Sequence, residues 1–397
     1  MFKRGGLERQ VTKLPKEVVW CKRCVVSNQR PRVIFNQDSV CSGCLNADYK
    51  NNEVDWNKRE EELHELLDSH RSKNGSWDVI VPSSGGKDSV FVSHQLKFKY
   101  RMNPLTVTWS PLEYTKIGRQ NLDSSIKAGL PNFLFSPNGN FQRKLARLCF
   151  EELGDAFHVF VLGQVCFPFH MALKFGIPLV FYGENGEAEY AGDPEGADKP
   201  YKPSKVWRDH FFKGSSLREL VQYGLENKDY LNEGDFTEDD LKFYEPPSEK
   251  EMEDLGIKGK HFFSYYKKWL PQENFYYAAE HTGFRPNPER NEGTYSKYAS
   301  LDDKMDGFHY FLRYIKFGLG RCVDDAAHEI RDGHITRDEA LALMDKYEGE
   351  FPEKYYADFL EYLNIDQSHF WDVVDEWRAE HLWVKEGNSW RLRNPVE

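Results

Sequence analysis

The sequence predicts an α/β fold: a doubly wound parallel sheet, preceded by a zinc-ribbon-like segment and followed by a mainly helical C-terminal region. Three observations predict it. Between Asp55 and Asn185, short apolar runs that read as strands alternate with helical stretches, the order that lays parallel strands side by side under crossover helices. Two Cys-x-x-Cys pairs stand ahead of that region. Beyond Phe262 the chain is rich in Tyr, Phe and Trp, with helical patterning.

The cysteine pairs come first in the chain. Cys21 and Cys24 lie in "CKRC", Cys41 and Cys44 in "CSGC", with sixteen residues between the pairs. Each tight turn presents two thiolates to one side, and two such turns complete a closed tetrahedron around zinc. Residues 1–54 are too few to bury much of a core, so metal binding supplies the folding energy of this segment. Four sulfur ligands make the site structural rather than catalytic. The spacing leaves two disulfides, unrelated buried thiols or an iron–sulfur cluster as alternatives. Disulfides fit poorly with the absence of an export signal in "MFKRGGLERQVTKLPKEVVW". Of the other cysteines, Cys149 and Cys322 read as buried thiols, and Cys166 in "VLGQVCFPFH" is the one weak nucleophile.

Residues 55–195 carry the α/β pattern. "DWNKREEELHELLDSHRSKNG" reads as an amphipathic helix with Trp56, Leu63, Leu66 and Leu67 on its apolar face, ending at Gly75. "WDVIVPSS", "NPLTVTWS", "NFLFSPN" and "IPLVFYGEN" read as four strands, the first of them short and buried. Between them, "SVFVSHQLKFKY", "TKIGRQNLDSSIKAGL" and "QRKLARLCFEEL" read as helices, as does the start of the apolar zone Phe157–Gly183. Residues 196–260 form a loop-rich insertion of mixed charge, with enough aromatic side chains to pack short helices on the core. Residues 261–397 are the helical C-terminal substrate region, in which Thr336 and Glu339 predict a capping box ahead of "ALALMDKYEG".

Composition narrows the class. With 397 residues, 40% hydrophobic and 15% aromatic, the chain supports two or three packed units rather than a disordered protein. A formal charge of −11 argues against a nucleic-acid binder, and the basic stretch Lys199–Lys213 reads as a solvated loop. The zone Phe157–Gly183 is interrupted by His158, Gln164, Pro168, His170 and Lys174. It therefore predicts no membrane span, and a cytoplasmic protein is expected.

The stretch "VPSSGGKDSV" stands where the first strand gives way to a helix. A glycine-rich turn there exposes backbone N–H groups, and the helix N-terminus adds partial positive charge, so the loop Ser84, Gly85, Gly86, Lys87, Asp88 and Ser89 can cradle phosphates. Its spacing is not that of a Walker A loop. Ligands of open α/β sheets bind at the carboxyl ends of the strands. That rim adds Thr108 and Trp109, expected beside a nucleoside, and Glu184 and Asn185 from "GENGEAEY", which otherwise read as turn residues. Asp88 and Glu184 are the oxygen ligands expected to hold Mg²⁺.

"SGGKDS" resembles the signature of the PP-loop ATP pyrophosphatases, HUP-like enzymes that cleave ATP between its α and β phosphates and transfer AMP to an oxygen. Longer stretches resemble one family more closely. "CKRCVVSNQRPRVIFNQDSVCSGC", "IPLVFYGEN", "EGTYSKYASLDDKMDGFHYFLRYIKFGLGRCVDDAAHEIRDGHITRDEA" and "YEGEFPEKYYADFLEYL" are similar to the N-acetyl sugar amidotransferases of bacterial surface-polysaccharide biosynthesis, from about Trp20 to about Arg378. The resemblance implies ATP-dependent conversion of a sugar acetamido group to an acetamidino group through an O-adenylyl imidate. It implies an activated diacetamido sugar or a nonulosonate as substrate. It also implies ammonia from a separate glutaminase, partnered by a synthase-like subunit. The absence of a glutaminase nucleophile agrees: position 2 is Phe2, and Cys149, Cys166 and Cys322 lack a glycine-flanked elbow.

On this reading Lys87 neutralises charge on the departing pyrophosphate, and the base comes from "LDDKMDGFH", which offers Asp302, Asp303, Asp306 and His309. Asp303 and His309 are the expected catalytic pair, although the same residues also suit a solvated helix start. Arg321, Asp324 and Asp325 are expected near the substrate, whereas "FFSYYKKW" reads as core. A PP-loop tRNA thiolation enzyme with Cys166 as sulfur carrier is the alternative function.

Overall fold

The computed structural model describes residues 6–227, 229–387 and 389–397; Phe2 lies outside them. Strands Val79–Pro82 (β1), Pro104–Trp109 (β2) and Asn132–Phe135 (β3) pair in parallel in the order β1-β2-β3. The β-branched and aromatic residues of β1 and β2 suit the buried part of such a sheet, whereas β3 at its edge is partly exposed. The fourth expected strand shortens to Phe181–Tyr182 (β4). It meets β1 through a single parallel bridge, Ile80 to Val180. β4 continues into a second small sheet with Lys260–Phe262 (β6) in parallel, and Tyr201–Lys202 (β5) joins β6 antiparallel at the edge. The fourth strand expected from "IPLVFYGEN" is present but short: the run "IPLVFY" spends Pro178 at its start and breaks at Gly183, leaving two residues with ladder geometry.

Helices of eight residues or more alternate with the strands as far as β4. Ser42–Asn52 (α1) and Trp56–His70 (α2) precede β1, and Lys87–His94 (α3), Lys116–Lys127 (α4), Gly139–Leu153 (α5) and His158–Phe175 (α6) follow. Their starts are set by side chains that satisfy free N–H groups. Asp55 accepts from Asn57 N and Lys58 N, Thr115 from Gly118 N, and Asn138 from Asn140 N and Phe141 N. α6 is the one described helix long and apolar enough to cross a membrane by length and composition, and 67% of it is buried within the fold.

The insertion is ordered by burial rather than by long elements. Trp207, Leu220 on Leu217–Glu226 (α7), Leu231, Leu241 and Tyr244 are all essentially inaccessible and join the main core. The C-terminal region is helical: Pro271–Thr282 (α8), Asp306–Phe317 (α9), Arg321–Asp332 (α10), Arg337–Tyr347 (α11), Tyr356–Leu363 (α12) and Gln367–Glu376 (α13), closed by the hairpin Trp383–Glu386 (β7) and Ser389–Leu392 (β8). The capping box at Thr336 and Glu339 is present. One hydrophobic cluster runs from Val11 through the sheet and α6 to Trp383, so the ribbon, the α/β region and the C-terminal helices share a core.

Candidate functional site

The phosphate-type loop is shaped by three local facts. Gly85 has φ +86°, and a Cβ there would come within 2.5 Å of the Leu122 backbone nitrogen on α4. Only glycine suits that conformation and that approach. Gly86 is the extended N-cap of α3, so the helix starts at Lys87 and not near Ser89. Lys87 and Asp88 therefore sit in its first turn, with their N–H groups free of intrahelical partners. Ser89 supports the loop from behind, its hydroxyl donating to Gly86 O at 3.0 Å and lying 3.0 Å from Ser83 Oγ.

A cleft of about 380 Å³ opens over this loop. Ser84, Gly85, Gly86, Lys87, Asp88 and Glu184 line one part of it. Lys87 is almost fully buried, pairs with the Asp88 carboxylate, and lies 5.7 Å from the centre of the Tyr298 ring. Asn274 of α8 donates to the other Asp88 oxygen at 3.1 Å. Burial and the nearby Asp88 charge hold the Glu184 carboxyl above its usual range. Two carboxylates that repel each other beside a glycine turn with free N–H groups are of the type that can share a divalent cation.

The C-terminal helices supply the rest of the cleft. His309 of α9 lines it, with Nδ1 at 2.9 and 3.0 Å from the two oxygens of Asp155. Asp155 is buried at the start of α6, where it also accepts from Phe157 N and from Lys213 Nζ at 2.8 Å. Its contacts with His309 and Lys213 hold its carboxyl well below the usual range despite burial, so it stays ionised and accepts from the imidazole at Nδ1, which fixes the ring and leaves Nε2 as the other ring nitrogen. Asp302 lines the cleft beside Ser84. Burial and the Asp306 carboxylate push its pKa up to about 6, against a hydrogen bond from Ser84 that lowers it. Arg321, at the N-terminus of α10, donates to the Tyr310 hydroxyl at 2.6 Å and to Asp325 at 3.1 Å. Both partners line the cleft too.

Several residues expected at the site lie elsewhere. Asp303 is buried, and its carboxylate accepts from the backbone N–H groups of Leu112, Glu113 and Met305. It ties the "LDDK" turn to the end of β2, and of the two adjacent aspartates Asp302 is the one that lines the cleft, as does Asp306. Thr108 faces the sheet, donating to Ser83 O and accepting from Asn132. Trp109 packs on α6, where a Cβ at Gly163 would fall 2.0 Å from the indole. Asn185 caps the helical turn Gly186–Glu189 and donates to Gly196 O and Ala197 O at 2.8 and 3.1 Å. Asp324, also expected near the substrate, is buried between Arg30 and Arg313. Cys166 is buried in α6, and burial raises its thiol pKa well above the usual value. Asp155, Tyr298 and Asn274 were not legible as site residues, because each meets its partner across a long stretch of chain.

The four paired cysteines converge. Their sulfurs all lie within 4.8 Å of one another, with Cys21 to Cys44 at 3.9 Å and Cys24 to Cys41 at 3.6 Å. Zinc–sulfur bonds of about 2.3 Å place tetrahedral sulfurs about 3.8 Å apart, and a disulfide needs about 2.05 Å. All four side chains are buried, and Cys21 Sγ accepts from the N–H groups of Cys24 and Cys41, as a thiolate ligand does. The cluster can hold zinc. It lies outside the cleft: Ser42 on α1 donates to Gly192 O, and Lys50 pairs with Glu189 at 2.6 Å, so the ribbon buttresses the segment that follows Glu184. Among the described residues it is the one group of three or more such side chains close enough to bind a metal by themselves.

Two comparisons bear on identity. The chain is 33% identical over 89 residues to a protein of Methanocaldococcus jannaschii described as "Uncharacterized protein MJ1599"; the match takes in 22% of this chain and spans 31% of that protein's length. Residues 292–396 match the family described as LPS biosynthesis protein WbpG-like, C-terminal domain. That stretch holds α9 to α13 and the closing hairpin, with His309, Arg321 and Asp325, and the match supports a role in polysaccharide biosynthesis.

Proposed function

We propose that the chain is an ATP-dependent amidotransferase of the PP-loop, HUP-like kind, which forms AMP and pyrophosphate as it converts a sugar acetamido group to an acetamidino group. The observation that carries the reading is a single cleft in which the Ser84–Asp88 loop meets Asp302, His309 and Arg321. A phosphate cradle alone fits many enzymes. Joined to a helical region similar to a polysaccharide-synthesis family, it fits activation of a sugar.

In this mechanism the loop N–H groups and the Lys87 ammonium bind the β and γ phosphates of ATP. Asp88 and Glu184 would hold Mg²⁺, which when bound spreads the charge that builds on departing pyrophosphate. The acetamido oxygen attacks the α-phosphorus and pyrophosphate leaves, giving an O-adenylyl imidate. Ammonia adds to the imidate carbon, its surplus proton passes to a base, and AMP departs with the C–O bond. Asp302 and His309 Nε2 are the bases, and Asp155 positions His309. Arg321 and Asp325 contact the sugar. The substrate is an activated diacetamido sugar or a nonulosonate, and ammonia comes from a separate glutaminase with its synthase-like subunit, in the cytoplasm. The buried position of Cys166 takes the sulfur carrier from the tRNA thiolation reading.

With ATP, Mg²⁺ and an ammonium salt, the purified protein is expected to release pyrophosphate and AMP only when a diacetamido sugar nucleotide or nonulosonate is added. Stimulation by tRNA with no response to any such sugar overturns the proposal. The base assignment has its own readout. A base must be unprotonated to act, so kcat should rise with pH through about 6, the value to which Asp302 is pushed. Asp302→Asn should lose about a hundredfold or more in kcat and abolish that acid limb. An unchanged limb in the variant assigns it to another group.

A further inference from the structure

A second cavity, of about 230 Å³, lies behind the cleft, and Val161 and His309 line both. Its chemistry differs from that of the cleft. Arg30, Arg32, Lys213, Arg313 and Lys316 line it, and Asp155 is the one carboxylate among its lining residues. The carboxylates behind these cations are shared. Asp324 serves both Arg30 at 2.8 Å and Arg313 at 2.6 Å, and Glu187 serves both Arg32 at 3.0 Å and Lys202 at 2.9 Å. Asp155 takes Lys213 and His309, and Glu8 takes Lys316 at 2.8 Å. Six lysine and arginine side chains thus share four carboxylates. The crowding is felt: burial with the neighbouring Arg313, Arg32 and Arg331 lowers the Arg30 pKa, and burial with Lys213 pushes Lys316 down to about 8.

His158 is the second, independent observation. Its ring is fully buried against the cavity, yet neither Nδ1 nor Nε2 has a hydrogen-bond partner. Leaving buried polar atoms unpaired is costly, so such a ring marks a place where a ligand or water completes the structure. Burial and the adjacent Lys213 hold His158 neutral, with one N–H to donate.

We propose that this cavity is a binding site for a small oxyanion, a phosphate or a carboxylate, held by Arg30, Arg32 and Lys213 with the His158 N–H as a neutral donor. Guanidinium forks match either anion in a bidentate way. The site adjoins the cleft at His309, so its occupant is either free phosphate or the acidic group of a molecule whose remainder reaches the cleft. It goes beyond the nucleotide reading and does not depend on it.

The test is calorimetric titration without ATP, at low ionic strength, of inorganic phosphate and separately of D-glucuronate, into the full-length Lys87→Ala protein, in which the loop no longer competes for phosphate. Saturable binding of at least one probe is expected. Phosphate binding alone identifies a free-phosphate site, and glucuronate binding identifies a site for a substrate carboxylate. Arg32→Gln, in the same background, should weaken the binding at least tenfold. His158→Phe, which keeps the ring and removes the donor, should weaken it severalfold, and it decides the matter if the Arg32 variant does not fold. No binding of either probe, or binding that both substitutions leave unchanged, overturns the proposal.

Discussion

Lys87→Ala is expected to abolish AMP and pyrophosphate release, by at least about a hundredfold in kcat, the scale on which a single charge-stabilising group acts in a water-poor site. Lys87 is buried in the first turn of α3, beside Asp88 and near the Tyr298 ring, where its side chain is largely shielded from solvent. Because its pairing is local, the loss should fall on turnover and leave the fold intact. Zinc content and melting temperature of the variant should therefore match those of the parent. The checking measurement is pyrophosphate release under saturating ATP and substrate, alongside metal analysis of the same preparation. A near-normal rate in the variant rules out the loop as the phosphate cradle.

Replacing one of the four paired cysteines should act in the opposite way, on the fold before the chemistry. One zinc per chain is expected in the parent, and Cys24→Ser should lose it together with several kcal/mol of stability, because the metal supplies folding energy to a segment with little core of its own. The damage should spread beyond the ribbon. Arg30 and Arg32 leave the ribbon to pair with Asp324 of α10 and with Glu187 beside β4, so an unfolded ribbon takes one cation from each of two buried carboxylates, leaving Asp324 to Arg313 and Glu187 to Lys202. Cys149→Ser, at a buried thiol remote from the cluster, is the control and should keep its zinc. Metal analysis and thermal unfolding of both variants check the expectation; iron in the parent, or zinc retained by Cys24→Ser, counts against the four-cysteine zinc assignment.

The parts of the site that were legible share one property: their chemistry lies in consecutive residues. "SGGKDS", the two Cys-x-x-Cys turns and "TRDE" each carry spacing and residue type within a few positions, and local backbone geometry turns that spacing into shape. Asp302 and His309 were legible only as members of a charged cluster. Which of two adjacent aspartates faces the cleft depends on where the backbone N–H groups of Leu112 and Glu113 fall, and those belong to a segment 190 residues away. For the same reason Trp109 could be taken for a nucleoside neighbour: a strand-end aromatic points to either face, and the bare backbone at Gly163 draws it into the core.

What the sequence determined by itself is therefore the α/β pattern, the glycine turn that opens α3 and the thiol cluster, because periodicity and short-range spacing encode them. Only the tertiary structure decided that Asp155 holds His309, that Asp302 rather than Asp303 enters the cleft, and that a cationic cavity with an unpartnered histidine lies behind it. Each of these arises from the burial of one segment against another distant in the chain. Burial sets the protonation, the pairing and the direction of a polar side chain, and a linear sequence carries no record of what a residue will be buried against.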